Sequence, residues 1–546
     1  MRLYVLVLLI GVFNLQAFSQ SAQPPKRDKA KLVVGIVVDQ MRNDYIERFW
    51  DHYSDDGFKR LVNQGYRFKD NHFNYVPTYT GPGHTSIYTG TSPMNHGIIG
   101  NSWFDKISGK MVYCAGDTSV MSVGTTDVTG QMSPHRMLTT TMADENRLAT
   151  QMRGKTIGIA IKDRGAILPA GHTANGAYWF HGQDEGKWIS STYYMETLPQ
   201  WVVEFNNSGK AASYLKTWDT LYPIDTYIES GADLNSAEGG FKGKKTATFP
   251  YDVAKLKADN NNFEILRSLP YGNDLTTDFA MAAVIGESLG KDYDTDFLTI
   301  SYSSTDYIGH NFGVNSKEVE DMYIRFDKNI AQLLNFLDKE VGKDNYILFL
   351  TSDHAAGEVP AYLESLKIPA GYFNAKEMQK ELETLVEKKY GDKKIIANVY
   401  NDQIYFDYKL LKQLDIDARE LEEKVADFLI AYKDIHSVYT RDQIVKGAYT
   451  EGMDAIVKNG FNHKRSGDLA YVLSPAISSY QHSGSTHGTG FSYDTHAPLF
   501  FYGKGVKSGS TSRRSEIIDI APTIATMLGI SYPSATTGKP LWWMWK

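Results

Sequence analysis

The sequence predicts an α/β fold with a mostly parallel central sheet and helices on both faces. Short apolar runs that are typical of buried strands alternate with longer helical segments along the chain. Three such runs, residues 32–39, 297–302 and 346–354, end in or lead into Asp and His side chains. Ligands of open α/β sheets bind beyond the carboxyl ends of the strands. We therefore expect a metal site at one rim of the sheet, with room for two metals.

The remaining elements continue the alternation of strands and helices. Their boundaries are predicted from the spacing of apolar residues, from Gly at helix ends and from Pro in a first helical turn. The expected helices are 44–64, a segment beginning at 85–89, 273–289, 317–341 and 519–528, and the further expected strands are 156–161, 468–473 and 498–502.

Two stretches interrupt the alternation of strands and helices. Residues 174–271 are rich in Gly, Trp, Tyr and Asn, and residues 360–460 contain two charged helices and a Tyr-rich strand pair. Both are interpreted as insertions at the active-site rim, where loops carry function. We expect one catalytic domain over residues 32–546.

Composition excludes several classes of protein. The 546 residues carry a net charge of −7 with both signs mixed, so no basic surface for nucleic acid is indicated. Cys114 is the only cysteine, which excludes an intrachain disulfide and a thiolate zinc site. Any zinc must be held by His and carboxylate side chains, a donor set that suits catalysis.

The N-terminus has the pattern of a signal peptide. Arg2 precedes an apolar run over residues 4–13, and Ala17-Phe-Ser19 resembles a cleavage site. The run is too short to span a bilayer. We expect cleavage after residue 19, a flexible leader over 20–31 and a periplasmic location, with outer-membrane association or release from the cell left open. The alternative is a buried N-terminal strand.

Candidate metal ligands follow the three strands. Asp306 and His310 are four residues apart, which places them on one face of a helical turn. Asp353 and His354 are adjacent, so they can share a metal only where the strand has ended. The metal at Asp306 and His310 needs another histidine, and loop context does not decide between His482, His487 and His496.

A candidate nucleophile lies in the run Thr80-Gly-Pro-Gly-His84. The run places a hydroxyl at a sharp turn that opens a helix, and a helix N-terminus favours anions. A Thr hydroxyl is a weak nucleophile until a base or a metal activates it. The alternative role for Thr80 is a helix cap.

Taken together, these segments resemble the alkaline phosphatase superfamily. The matching runs, in the family's order, are Val37-Val-Asp39-Gln-Met-Arg, Thr80-Gly-Pro-Gly-His, Gly100-Asn101, Thr305-Asp-Tyr-Ile-Gly-His310, Ser352-Asp-His354 and Thr486-His487-Gly. The stretch Ile161-Lys-Asp-Arg-Gly-Ala-Ile-Leu-Pro resembles in particular the phosphate-irrepressible, PafA-type subgroup of Flavobacterium-like bacteria.

The resemblance implies two zinc ions about 4 Å apart that clamp an in-line displacement at phosphorus. Thr80 would attack phosphorus and form a phosphothreonine intermediate. One zinc would be held by Asp39, Thr80, Asp353 and His354, and the other by Asp306, His310 and His487.

Three further residues match the subgroup at the phosphoryl group. Asn101 would donate to one phosphoryl oxygen. Lys162 and Arg164 would bind the additional charged oxygens that a phosphate monoester has and a diester lacks. Without the resemblance, Lys162 and Arg164 are equally well described as a solvated charge cluster after a strand.

The expected function is a zinc-dependent alkaline phosphatase, a monomer that hydrolyses a broad range of small-molecule phosphate monoesters. The alternative is a phosphodiesterase or nucleotide pyrophosphatase of the same superfamily, which should lack the Lys162 and Arg164 pair. A resemblance to sulfatases would require the run Cys/Ser-x-Pro-x-Arg at the nucleophile. This chain does not have that run. A non-catalytic metal- or phosphate-binding protein is a distant alternative. His and Asp sites also accept Mn, Co or Fe.

Overall fold

A computed structural model describes residues 29–545 of the chain. The expected signal peptide and nearly all of the expected leader lie outside the described residues. Within residues 29–545, no helix is both long enough and apolar enough to cross a membrane.

The described strands form one large sheet and several small ones. The strands are β1 (Leu32–Val38), β2 (Tyr66–Phe68), β3 (Asn71–His72), β4 (Ser102–Asp105), β5 (Lys110–Tyr113), β6 (Ser122–Val123), β7 (Thr156–Ala160), β8 (Gly176–His181), β9 (Lys187–Ser191), β10 (Asp296–Tyr302), β11 (Tyr346–Thr351), β12 (Gly371–Tyr372), β13 (Ile396–Tyr400), β14 (Gln403–Phe406), β15 (Ile435–Thr440), β16 (Leu469–Leu473), β17 (Ile477–Ser478), β18 (Leu499–Gly503), β19 (Gly509–Thr511) and β20 (Ser515–Glu516).

The large sheet has ten strands in the order β19-β2-β18-β11-β1-β10-β7-β8-β9-β6. Its middle is parallel, since β11, β1, β10, β7 and β8 pair in one direction. Antiparallel strands extend both edges, with β18 beside β11 and β9 beside β8. The mostly parallel α/β fold predicted from the sequence is confirmed.

The α-helices of the described chain connect and cover these strands. They are α1 (Tyr45–Arg48), α2 (Phe58–Gln64), α3 (Thr80–Thr89), α4 (Pro93–His96), α5 (Met142–Ala149), α6 (Asp163–Ala170), α7 (Gln200–Asn207), α8 (Lys210–Ser213), α9 (Val253–Leu256), α10 (Tyr271–Gly286), α11 (Ser304–Phe312), α12 (Lys317–Leu337), α13 (Pro360–Ser365), α14 (Ala375–Tyr390), α15 (Tyr408–Gln413), α16 (Ala418–Ile430), α17 (Arg441–Lys446), α18 (Gly452–Gly460), α19 (Ser492–Thr495) and α20 (Ile520–Leu528).

The two faces of the sheet pack against different helices. Alternate residues of β1 enter two separate apolar clusters, Val34 and Ile36 on one face and Val33 and Val37 on the other. Helices α10 and α12 pack in the first cluster, whereas α3, α5 and α20 pack in the second. This arrangement buries β1 on both faces, which explains why its sequence is continuously apolar.

The expected helix over residues 44–64 is wrong in one respect, because it is broken into α1, a 3-10 turn (Trp50–His52) and α2. The backbone N–H groups of Ser54 and Phe58 donate to the carboxylate of Asp327 on α12 at 2.7 Å each. These bonds hold the intervening residues in a turn. The helix expected to begin at 85–89 starts five residues earlier, at Thr80, and the other expected helices and strands are present within a few residues of the expected ends.

The two expected insertions differ in how they join the sheet. The range 174–271 begins with β8 and β9, which extend the central sheet. The range 360–460 packs α14 and α16 on a separate four-stranded sheet with the order β13-β14-β16-β15. That small sheet includes β16, a strand that lies beyond residue 460 and outside the central sheet. The division into domains stays a prediction.

Candidate active site

Three strands of the parallel sheet end at the same level. Val38 of β1 is in register with Tyr302 of β10, and Val37 is in register with Thr351 of β11. The next residues along the chain therefore leave the sheet at one rim. Asp39 follows β1, and α11 with Asp306 follows β10.

The first group at this rim consists of Asp39, Asp353 and His354. Their candidate ligand atoms lie within 4.8 Å of one another, and all three residues are fully buried. Asp39 Oδ1, Asp353 Oδ2 and His354 Nε2 have no hydrogen-bond partner. Buried polar atoms without partners are costly. Three such atoms that converge are well matched to a cation.

The second group consists of Asp306, His354 and His487, again within 4.8 Å. His310 joins it from the next turn of α11, with Nε2 at 3.1 Å from Asp306 Oδ1. The predicted placement of Asp306 and His310 on one helical face is confirmed. Because His354 belongs to both groups, the two groups are adjacent.

The three histidines are held in one tautomer by the backbone. His310 Nδ1 donates to Ser485 O at 2.7 Å, His354 Nδ1 to Ala355 O at 3.1 Å and His487 Nδ1 to Thr78 O at 2.6 Å. Each Nε2 is therefore unprotonated and has a lone pair available for a metal ion on the side of the carboxylates. Burial lowers the pKa of His354. Burial, together with the nearby imidazoles of His354 and His310, also lowers the pKa of His487 to well below its usual value. Neutral imidazole is the form that binds metals.

The carboxylates at the rim repel one another. Burial, followed by the charges of Asp306 and Asp353, raises the pKa of Asp39 well above its usual value. Lys162 offsets part of this repulsion, since its Nζ lies 2.7 Å from Asp39 Oδ2 and 2.5 Å from Asp306 Oδ2. Carboxylate and neutral imidazole donors fit zinc, so the residues present fit the expected cofactor.

The three histidines that the sequence left as alternatives occupy different places. His487 lies in the second group. His482 contacts the ring of Tyr372 at 4.1 Å. His496 stacks on His72, in a group with Asp70 where His72 and His496 are hydrogen-bonded to protein partners. The structure therefore brings His487 to the rim and keeps His482 and His496 away from it.

Thr80 is the first residue of α3, and this helix begins directly against the candidate metal ligands. A Cβ atom on Gly83 would lie 2.1 Å from the carbonyl oxygen of Asp353, so only glycine permits this approach. His84 Nδ1 lies 2.9 Å from Thr80 O and 3.3 Å from Asp353 Oδ2. The first turn of α3 is thereby attached to the strand end that carries Asp353.

Asn101 lies beside the same turn. Its Oδ1 accepts a hydrogen bond from Gly81 N at 2.8 Å, which orients the side-chain amide and leaves its N–H groups to donate elsewhere. Asn101 lines a cavity of about 320 Å³ together with His310 and His487.

Lys162 and Arg164 lie at the start of α6, on the other side of the rim. Lys162 is buried between Asp39 and Asp306, as described above. Arg164 Nη1 donates to the hydroxyl of Tyr113 at 3.1 Å, and its Nε is buried without a partner. Lys162 is therefore not a solvated charge, because it contacts carboxylates of both groups, and the half-buried Arg164 lines the same cavity as Lys162.

Two residues at the rim were missed by sequence reasoning. Gln40 donates through Nε2 to Asp306 Oδ1 at 2.8 Å and through its backbone N–H to Asp353 Oδ1 at 3.2 Å. His84 is hydrogen-bonded to Thr80 O and to Ser301 Oγ, and its Nδ1 lies 3.3 Å from Asp353 Oδ2. The signal available in the sequence was position, since Gln40 follows Asp39 and His84 is one turn after Thr80.

Comparison with known proteins places this site in a family. Residues 33–498 match the family of type I phosphodiesterase / nucleotide pyrophosphatase. A Myroides odoratus protein named calcium-transporting ATPase is 45% identical over 94% of this chain and 95% of its own. Alkaline phosphatase PafA of Elizabethkingia meningoseptica is 43% identical over 98% of both chains.

A solved structure agrees with these similarities. The crystal structure of wild-type alkaline phosphatase PafA superimposes with a TM-score of 0.90 at 44% identity, over 94% of this chain and 98% of that one. The chain therefore belongs to the type I phosphodiesterase / nucleotide pyrophosphatase family of the alkaline phosphatase superfamily, and within it to the PafA-type alkaline phosphatases.

Proposed function

We propose that this alkaline phosphatase is zinc-dependent and hydrolyses a broad range of phosphate monoesters through a phosphothreonine on Thr80. The observation that carries the proposal is the pair of adjacent Asp and His groups that share His354, with the first turn of α3 packed against them. The same rim carries Lys162, whose charge suits a phosphoryl dianion.

Two zinc ions would be held by two sets of residues. Asp39, Asp353, His354 and the Thr80 oxygen would form one set, and Asp306, His310 and His487 the other. Zinc bound there would neutralise phosphoryl charge and lower the pKa of coordinated hydroxyl groups.

Thr80 is the nucleophile in this proposal. Its Oγ1, having lost its proton to solvent, attacks phosphorus as the P–O bond to the organic group breaks. The departing alkoxide takes a proton from water. Water then attacks phosphorus and loses a proton to solvent, the Thr80 O–P bond breaks with its electron pair on the Thr80 oxygen, and inorganic phosphate leaves. The N-terminus of α3 favours the negative charge that collects beside Thr80.

Asn101, Lys162 and Arg164 bind the phosphoryl oxygens. A monoester dianion has one more charged oxygen than a diester, and two cations are suited to bind it. Both cations are present in this chain and line one cavity, which favours monoester over diester hydrolysis. The family description includes phosphodiesterases, so diester hydrolysis is the competing function.

The test compares the hydrolysis of two substrates by the wild type and by two double variants. The kcat/KM values for p-nitrophenyl phosphate and its methyl diester should be measured on the zinc-loaded wild type and on Lys162→Ala/Arg164→Ala. We expect the wild type to prefer the monoester, and the variant to lose about 1000-fold on the monoester but less than about tenfold on the diester. Lys393→Ala/Lys394→Ala removes two exposed charges far along the chain and should change neither value.

A wild type that prefers the diester, or equal losses on both substrates, would move this chain to the phosphodiesterases. A protein that binds zinc and phosphate without turnover would instead support the non-catalytic alternative.

Two wider properties belong to the same proposal. We infer export by the predicted signal peptide to the periplasm, with a role in acquiring phosphate, and action as a monomer. Fractionation of expressing cells and light scattering on the purified protein test these two inferences. A cytoplasmic or dimeric protein would contradict them.

A further inference from the structure

The cavity of about 320 Å³ beside His310 and His487 carries acidic and aromatic side chains. Its lining includes the carboxylates of Glu358, Asp402 and Asp494, and no Lys or Arg of the described chain lines it. The cations of the rim, Lys162 and Arg164, line a separate cavity. The two cavities therefore differ in their cations: Lys162, Arg164 and Arg267 line the second together with Asp163 and Glu264, whereas the first has carboxylates alone among its charged lining residues of the described chain.

Asp494 is the carboxylate of this cavity that has a buried oxygen without a partner. The residue is fully buried, its Oδ2 accepts bonds from the N–H and the hydroxyl of Thr489, and its Oδ1 has no partner. Glu358 is already paired, with Arg42 and Asn315 bonded to its two oxygens. Asp494 Oδ1 is therefore left to interact with a bound molecule, and Asp402, whose carboxylate accepts a bond from Tyr471, adds a second negative charge to the lining.

The two carboxylates are charged under alkaline conditions. Burial raises the pKa of Asp494 to about 7, against the opposing effect of its bonds from Thr489. Burial likewise raises the pKa of Asp402 to about 6. Both values lie below an alkaline working pH, so both groups are anions there.

Aromatic rings complete the lining. Tyr480 lies with its ring 5.3 Å from that of His310, and Tyr79 lies with its ring 5.7 Å from that of His487. Tyr493 lines the same cavity. Carboxylates combined with tyrosine rings are the surroundings that bind ammonium groups, through charge and through cation–π attraction.

We propose that this cavity is a subsite for the organic part of the substrate, and that within the broad range of monoesters it favours those whose organic group carries a quaternary or primary ammonium. The inference rests on the proposed function, because the cavity is contiguous with His310, His487 and Asn101, where the phosphoryl group would be bound. The subsite and the phosphoryl side then recognise the two ends of one zwitterionic molecule.

A matched pair of substrates isolates the charge. Choline phosphate carries a trimethylammonium group, and 3,3-dimethylbutyl phosphate has the same shape with carbon in place of nitrogen. The ratio of their kcat/KM values in one enzyme also contains the difference in acidity of the two alcohols. The change of that ratio between wild type and a variant cancels this difference.

The variants are Asp402→Asn and Asp494→Asn, which keep the size and one acceptor oxygen of each side chain. We expect each variant to lower the ratio of kcat/KM for choline phosphate to kcat/KM for 3,3-dimethylbutyl phosphate about fivefold to tenfold. The kcat/KM for the neutral substrate should change little. Glu364→Gln removes an exposed carboxylate on α13 that does not line the cavity, and its ratio should equal that of the wild type. Tyr480→Leu, a second route that leaves both carboxylates intact, should lower the ratio by a smaller factor.

The outcomes separate the subsite from the activity. Hydrolysis of both substrates with an unchanged ratio in all three cavity variants would overturn the subsite and leave the phosphatase intact. Failure of the wild type to hydrolyse either substrate or p-nitrophenyl phosphate would overturn the proposed function instead. If an aspartate variant fails to fold, the Tyr480→Leu ratio still decides the proposal.

Discussion

At the scale of single residues, Gln40 connects the two candidate metal sets. Its side chain donates to Asp306 and its backbone donates to Asp353, so one residue holds a carboxylate from each set. The backbone of Gln40 is left-handed, with a φ of 66°. Residues other than glycine adopt this conformation at a cost, and they do so where surrounding contacts require it.

Replacing Gln40 with Ala should weaken metal binding more than it weakens folding. The loss of the Nε2 donor frees Asp306 to rotate, and removal of such an orienting partner costs about tenfold to 100-fold in metal affinity. Zinc affinity can be measured by competition with a chromophoric chelator, independently of activity. Gln151 is an exposed glutamine with a φ of 53°, so Gln151→Ala is the matched control and should leave the affinity unchanged. Equal affinities for Gln40→Ala and the wild type would show that Gln40 does not position Asp306.

The candidate ligands could be proposed from the sequence because strand ends fix where side chains emerge. Asp39 and Asp353 follow runs whose apolar character leaves little choice of structure. His487 could not be separated from His482 and His496, because all three lie in loops and only packing determines which loop reaches the rim. The position of Gln40 after Asp39 places it near the rim, but its role could not be predicted, since it depends on contacts with residues more than 260 positions away.

At the scale of elements, long-range capping decides where helices end. The segment before α2 has helical spacing, but Asp327 of α12 accepts hydrogen bonds from Ser54 and Phe58 and fixes a turn there. The pattern of apolar residues is the same for a continuous helix and for one interrupted by such a turn. Apolar periodicity therefore predicted the elements whose ends are set by neighbouring residues. It failed to predict the break before α2, because a carboxylate distant in sequence fixes the turn there. The same limit applies to β16, whose apolar pattern does not specify which sheet it joins.

Asp327→Ala should test this account of the turn. The substitution leaves the N–H groups of Ser54 and Phe58 without their acceptor, and each unsatisfied buried group costs about 1–3 kcal/mol. We expect a loss of about 2–4 kcal/mol in the free energy of unfolding, measured by urea denaturation. Lys328→Ala, at the next and exposed position, should change it by less than about 0.5 kcal/mol. A similar small effect for both variants would mean that water replaces Asp327 at the turn.

At the scale of the whole molecule, the candidate site joins parts of the chain that are far apart in sequence. Asp39, Asp306, Asp353 and His487 belong to four segments that meet only in the folded protein. Their carboxylates are buried together and repel one another, and Lys162 is the cation in direct contact with two of them. A divalent cation at this rim would therefore stabilise the native fold and have no comparable site in the unfolded chain.

Removal of metal should accordingly lower the melting temperature. With zinc at about 1000 times its Kd, linkage predicts a stabilisation of about 4 kcal/mol for each site, which corresponds to a shift of about 3–4 °C in a chain of this size. The measurement is thermal unfolding before and after exhaustive chelation, with metal content determined on the same samples, and zinc added back should restore the original value. In Asp39→Asn/Asp306→Asn, one carboxylate of each set is neutral, so zinc binds weakly and chelation should produce little further change. If chelation strips the metal from the wild type without lowering its melting temperature, the rim is held by Lys162 and its neighbours alone, and the cation is needed only for chemistry.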